Sequence, residues 1–393
     1  SIFRMVMRGK PTMTAYWPNG VPGPDIEYGD NPVVVSTKAT GYDHDKRYVV
    51  NSNVRLNVKI PWVEGLSLTG NAAVDKNFRF QKTWQTPWYL YSFNGFDANN
   101  QPILQKSKRG FDSPALSLRT EDNQNILLNG LINYETKFLT DHNINLLAGV
   151  EKITGRGDNY SAYRKNFTSP LLDQMFAGAT DQFMSNDGRA YSQARLNYFG
   201  RVNYDYKQKY LAEFVWRYQG SYIFPKESRF GFFPGISLGY RISEEKFWKD
   251  KIAAVNSLKL RASWGQTGND QIDEYQYLAM YGLGGIRAQT WNPALTFITN
   301  GNVENPALYE TVLPNKEVTW EVANQANIGF DATLLNDKIS VTADYFNYTR
   351  SQILWFRNAS VPSSAGIQLP RENIGKVGNK GFDFSVGYNG KAG

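Results

Sequence analysis

Asn269, Asp270, Asp273 and Glu274 place four hard oxygen donors close together, the donor type that calcium prefers. Their spacing departs from that of an EF-hand loop, so the start of a solvated loop is the simpler reading. His44 and His142 are the whole imidazole complement. They stand far apart in loop or turn sequence, and neither a metal centre nor an acid–base pair is expected from them. Glu244 and Glu245 adjoin a helix predicted over residues 243–254, where carboxylates complement the positive N-terminal end. The glycines of residues 282–285 (GLGG) lack the strand–turn–helix context of a phosphate cradle. The sequon Asn347-Tyr348-Thr349 falls on a strand and is read as incidental. Cysteine is absent, which removes thiolate nucleophiles and thiolate metal sites. No catalytic residue, metal or cofactor is therefore expected, and the chain does not read as an enzyme.

Aromatic faces are the chemistry that does stand out. Residues 84–93 (WQTPWYLYSF) bring Trp84, Trp88, Tyr89 and Tyr91 into the first long loop. Such faces stack on sugar rings or peptide side chains, and Trp291 and Trp355, read as lying in other long loops, are candidates to join them. The competing reading is that these rings pack loop against loop or against a covering partner.

The elements that position these rings are strands. In residues 319–352, Ile328, Phe330, Ala332 and Leu334 alternate with Asn327, Gly329, Asp331 and Thr333. After the turn Asn336-Asp337-Lys338 the apolar series resumes as Ile339, Val341, Ala343 and Tyr345, which is period two on both arms. Each arm runs roughly 12 to 15 residues, about 40 to 50 Å, which is enough to cross a bilayer at a tilt. The pattern recurs in residues 54–60 and 66–74, 126–138 and 144–150, 196–206 and 210–218, 232–242 and 258–264, and 372–388. Between them, connections are expected to alternate short and long without exception. Excursions of irregular sequence are expected after residue 75, over residues 155–192 and over residues 267–318. Residues 1–46 read as an extracellular loop, with a possible short helix or strand over residues 2–8, and residues 47–393 as barrel strands and loops.

Composition agrees with this. Aromatic residues make up 15% of the chain (24 Tyr, 23 Phe, 10 Trp) and charged residues 20%, below the usual quarter. No apolar run is long enough for a membrane helix, and the mean hydropathy of −0.49 is compatible with a barrel whose inner face is polar. The net charge of +7 is scattered along alternating strands, so no nucleic-acid partner is expected. The expected fold is all-β: a transmembrane antiparallel β-barrel with short periplasmic turns and long extracellular loops. A soluble sandwich or propeller is the alternative fold.

Several segments resemble the SusC/RagA-type TonB-dependent transporters of Bacteroidota outer membranes. The resemblance is carried by residues 197–224 (NYFGRVNYDYKQKYLAEFVWRYQGSYIF), 232–248 (FFPGISLGYRISEEKFW), 258–272 (LKLRASWGQTGNDQI), 319–331 (TWEVANQANIGFD) and 372–388 (ENIGKVGNKGFDFSVGY). Residues 31–42 and 62–75 agree as well. The resemblance implies an incomplete barrel, roughly 11 of about 22 strands, in the bacterial outer membrane and in contact with its lipid. It further implies glycan or peptide cargo, a SusD-like surface lipoprotein as partner, and energy supplied through TonB. This stretch shows no plug domain, TonB box or signal segment, so it is expected to be the central part of a longer protein. A passive porin or structural barrel is the alternative function. A carbohydrate-active β-enzyme would need a convergent carboxylate pair, which the sequence does not offer.

Overall fold

The alternating segments become eleven strands of one sheet in the computed structural model, which describes residues 2–10, 12–26, 31–252, 254–283, 296–299, 303–306, 308–357 and 369–390. In chain order the elements are α1 (Ile2–Arg8), α2 (Pro32–Val35), β1 (Gly41–Lys59), β2 (Leu66–Gln85), β3 (Trp88–Phe96), β4 (Pro102–Arg109), β5 (Ala115–Phe138) and β6 (His142–Lys165). Next come β7 (Ser185–Tyr206), β8 (Tyr210–Ser221), β9 (Phe230–Arg241), α3 (Lys246–Lys251), β10 (Val255–Asn269), β11 (Met280–Leu283) and β12 (Thr296–Thr299). Last are β13 (Val303–Pro306), β14 (Leu308–Val312), β15 (Glu321–Leu334), β16 (Ile339–Phe356) and β17 (Arg371–Tyr388). The sheet order is β1-β2-β5-β6-β7-β8-β9-β10-β15-β16-β17, while β3-β4, β11-β14 and β12-β13 form separate two-stranded ribbons inside the long connections. No helix among the described residues is long and apolar enough to cross a membrane.

Strands extend further than their apolar pattern. β5 and β6 each run 24 residues, β1 begins at Gly41 rather than at Arg47, and β6 and β7 reach Lys165 and Ser185, deep into the excursion expected over residues 155–192. At these ends both faces are polar, as in Ser185-Asn186-Asp187-Gly188-Arg189. Backbone pairing continues there without any burial difference for a sequence pattern to report. The excursion after β2 is likewise ordered, because it contains the β3–β4 hairpin.

The alternation of short and long connections has one exception. Residues 242–254, at the short-turn end, are more numerous than residues 222–229 at the other. The helix expected over residues 243–254 is split, because Glu245 is extended (φ −75°, ψ 146°) between a 3-10 turn, Ile242–Glu244, and the short α3. Elsewhere at this end the turns are tight. They place Leu139, Thr140, Lys207, Gln208, Leu335, Asn336 and Asp337 at positive φ, the backbone that matches the twist of a two-stranded hairpin.

By internal contacts the chain divides into two units, one of Ser1–Ser52, Ala73–Ile126 and Gly155–Ser192, the other of Asn53–Ala72, Leu127–Thr154 and Gln193–Gly393. In the second unit the register sorts the faces cleanly. Leu260, Phe330 and Ala343 align on one face, as do Ala262, Ile328, Tyr345 and Phe382. This face is apolar and open: Ile236, Leu238, Leu260, Ile328 and Phe384 are all exposed, and Phe382 is 81% exposed. A contiguous apolar surface of this kind is stable against lipid, not water.

The opposite face carries Arg261, Gly329 and Asp344 in one register row across β10, β15 and β16. Arg261 reaches over the glycine: its Nη1 donates to Asp344 Oδ1 at 2.5 Å, its Nη2 to Asp344 Oδ2 at 2.6 Å, and its Nε to Asp331 at 3.1 Å. A Cβ at Gly329 would stand 2.6 Å from the Ala343 carbonyl oxygen and closer still to Asp344 Oδ1. The glycine is what lets the bidentate pair form across the intervening strand.

Gly329→Val is therefore expected to destabilise the folded protein by about 1 to 3 kcal/mol through overpacking and loss of the Arg261–Asp344 pair, read as a lower temperature for loss of heat-modifiable gel migration in the intact protein. A second expectation concerns Glu245, whose carboxyl is held below its ordinary 4.5 by hydrogen bonds from Tyr210 and Lys209. A depressed carboxyl adds stability that is full above about 4.5 and is lost as the pH falls through its folded value. Amide exchange in residues 242–252 should accelerate on acidification through that window, and less so in Glu245→Gln.

Candidate functional site

The aromatic segment is sorted by strand alternation within the first unit. Trp84 is the penultimate residue of β2 and is 4% exposed; its ring meets Phe167 edge-on at 4.8 Å beside the buried Leu116. Trp88, 9% exposed, packs with Val34 and Leu90. Gly110, at φ +71°, leaves room for it, since a Cβ there would lie 2.6 Å from the indole Nε1. Tyr89 points the other way along β3, and Lys106 Nζ lies 3.9 Å above its ring. Tyr91 is half-buried, and its carbonyl accepts from Trp17 Nε1 at 2.8 Å. Phe93 and Phe96, exposed and edge-on at 5.0 Å, extend the same surface.

The candidates thus separate. Trp84 and Trp88 present no free ring face, because each is enclosed by its own hydrophobic cluster. Trp355 lies on β16 rather than in a loop, opposite Glu372 of β17, and is 62% exposed. Trp291 lies outside the described residues. Phe93, Phe96 and Trp17 were missed by sequence reasoning; the period-two pattern of β3 could have found Phe93, but Phe96 lies beyond a register shift that breaks the pattern.

The oxygen cluster disperses. In the second unit Asp270 accepts from Arg195 Nε at 2.7 Å and from Ser221 Oγ at 2.7 Å, Glu274 accepts from the Tyr222 hydroxyl, and Asp273 lies 3.5 Å from Arg371. A guanidinium occupies the electrostatic role a cation would have, and among the described residues no group of His, Asp and Glu is arranged to hold a metal. Burial, reinforced by Glu274, pushes the Tyr222 hydroxyl above its ordinary value. These contacts pin the start of the long β10–β15 connection beside a core of Ile223, Phe224, Phe233, Val318 and Trp320. His44 stacks on Tyr42 at 4.2 Å, and His142 Nδ1 lies 2.8 Å from the Tyr204 hydroxyl. Of residues 282–285, Gly282 lies in β11 and the last two fall outside the described residues.

A groove of about 1300 Å³ in the second unit runs along the polar face near the short turns. Glu135, Lys137, Glu213, Lys259 and Arg261 bring both signs of charge to its lining, with Asn145, Asn203 and Asn327 between them. This surface is hydrophilic without favouring one sign, which suits passage or packing of a polar body better than capture of an ion.

The sequence profile described as "TonB dependent receptor-like, beta-barrel" matches residues 8–391. The chain belongs to this family. Its members are outer-membrane receptors and transporters rather than enzymes, so the apolar face of the sheet is the lipid face and the polar face the lumen. TonB-dependent receptor P39 of Formosa agariphila is 32% identical over 256 residues, 65% of this chain and 23% of that protein. The TonB-dependent receptor SusC of Bacteroides thetaiotaomicron is 32% identical over 198 residues, 49% of this chain and 18% of that protein. Among solved structures, the RagAB peptide transporter superposes with a TM-score of 0.70 at 22% identity, covering 89% of this chain and 35% of that one. The chain thus spans about a third or less of the length of these relatives.

Trp84→Ala in the intact receptor is expected to cost the loop cluster about 3 to 5 kcal/mol. Hydrogen exchange should rise around residues 115–118 and 166–178, with the heat-modifiable barrel retained.

Proposed function

We propose that this chain is the central part of a SusC/RagA-type importer that carries glycans or peptides across the outer membrane. In this reading a SusD-like surface lipoprotein works with the long loops, and TonB supplies energy through parts of the protein outside this segment. The observation that carries the reading is the family match over nearly the whole chain, joined to a lumen face that is polar and of mixed charge. Passage along such a face needs no covalent chemistry. Cargo would be met in the first unit by Tyr89 and Tyr91, with Trp84 and Trp88 as packed side chains of the same unit; Trp355, in the second unit, is a separate candidate. Trp291 stays among the candidates on its residue type.

A passive porin is the competing reading, and energy dependence separates the two. In cells that express the intact protein, uptake of the cognate glycan or peptide should stop when TonB is deleted or the proton gradient is collapsed. Uptake that persists under both treatments would favour the porin. In the same protein, Tyr89→Ala with Tyr91→Ala should weaken cargo binding in calorimetry by about tenfold, since stacking on one aromatic ring contributes about 0.5 to 1.5 kcal/mol. Unchanged affinity would remove both residues from the cargo surface.

A further inference from the structure

Among the described residues, the connection between β9 and β10 is the one short-turn-end segment that carries an α-helix, and it is tied to the lipid face. Tyr210 and Tyr240 are register partners on that face, in line with Phe214, Ile236 and Leu238, and their rings stack at 5.0 Å and 8°. Glu245 accepts from the Tyr210 hydroxyl at 2.8 Å, from the Tyr240 hydroxyl at 3.4 Å and from Lys209 Nζ at 3.2 Å. The carboxylate therefore sits at the lipid-side rim, and α3 begins at the next residue.

α3 starts with Lys246-Phe247-Trp248-Lys249. Phe247 is 55% exposed, and Ile252, just past the helix, is exposed too. Trp248 is half-buried and donates from Nε1 to the Val255 carbonyl, which holds the helix against the start of β10. Lys249 is paired with Glu244 at 2.6 Å. Lys246 is exposed, and among the side chains described, which exclude Asp250 and Lys251, none pairs with it. A large apolar side chain beside an exposed lysine, continuous with a lipid-facing tyrosine pair, has the composition of an interfacial segment.

We propose that α3 is an interfacial foot resting on the phospholipid leaflet at the short-turn side, with Phe247 and Ile252 at the acyl boundary and Lys246 against a lipid phosphate. Continuity with the lipid face selects lipid as the occupant, and the exposed lysine selects an anionic headgroup. The inference rests on the membrane placement of the sheet but not on what is transported.

The test uses the intact receptor in nanodiscs of phosphatidylethanolamine with phosphatidylglycerol, with a nitroxide attached at Phe247→Cys. This chain contains no cysteine of its own, and any elsewhere in the protein would be replaced by serine. Collision with oxygen is compared with collision with a water-soluble nickel reagent, against Leu260→Cys as the lipid-facing standard and Asp337→Cys, in an exposed turn, as the aqueous one. The expected ratio at position 247 lies toward that of Leu260→Cys. It should shift toward water when Lys246→Gln is added or when phosphatidylglycerol is omitted.

A ratio matching Asp337→Cys would overturn the foot. Low accessibility to both reagents would also overturn it, because it would place the residue against protein. If only the shifts with Lys246→Gln and with lipid composition are missing, the phosphate contact is overturned. An aqueous reading at Leu260→Cys would count against the membrane placement instead. Should Phe247→Cys fail to give a heat-modifiable barrel, Ile252→Cys is read on the same scale with the same outcomes.

Discussion

A peptide group left in lipid without a hydrogen-bond partner costs several kcal/mol, and the rest of this structure follows from avoiding that cost. Among the described residues, eleven strands in simple succession pair every strand edge of the sheet with a neighbour except the outer edges of β1 and β17. The insertions that would break the ladder are confined to the ends, where they form their own two-stranded ribbons. A one-residue slip would exchange the lipid and lumen faces along a whole strand. The register of β10, β15, β16 and β17 is accordingly reinforced on both sides, by apolar rows on one face and by the row of Arg261, Gly329 and Asp344 on the other.

The two ends of the strands solve different problems. At the short-turn end, residues at positive φ reverse the chain quickly, and tyrosine hydroxyls, a lysine and Glu245 form a polar rim over an aromatic stack. At the long-loop end, strands continue with both faces polar. A long connection there cannot rely on the bilayer for order, so it carries small hydrophobic cores of its own, such as Trp84 with Phe167 and Trp320 with Phe224 and Phe233. In the first unit, Tyr89, Phe93 and Phe96 stand exposed on the β3–β4 hairpin.

Charge is handled by pairing. Arg195 is met by Asp270, Arg261 by two carboxylates, and Arg79 by Asp45 and Glu121. Most partners lie on other strands or loops, so the pairs tie the sheet and its connections together. The acidic stretch at residues 269–274 shows how little a local sequence says about such groups. Its donors face a guanidinium, a phenol and other side chains drawn from three different parts of the chain.

The strands of the main sheet, their count of roughly eleven and the faces they present were legible in the sequence, because each depends on a period of two that neighbouring residues set locally, whereas the ribbon strands β3, β4 and β11 to β14 were read as irregular loop. Ile328 to Leu334 and Phe382 to Tyr388 show their face without reference to anything distant. The family was legible too, through motifs spread over the chain. Strand ends were not, since at Ser185 to Arg189 pairing goes on where no side chain changes environment. Nor was the fate of the aromatic segment. Trp84 is enclosed because Leu116 and Phe167 arrive from β5 and the β6–β7 connection respectively, whereas Tyr89, five residues later, stays open. Periodicity comes from the bonds between adjacent residues, but enclosure depends on what distant segments bring, and that only the tertiary structure decided.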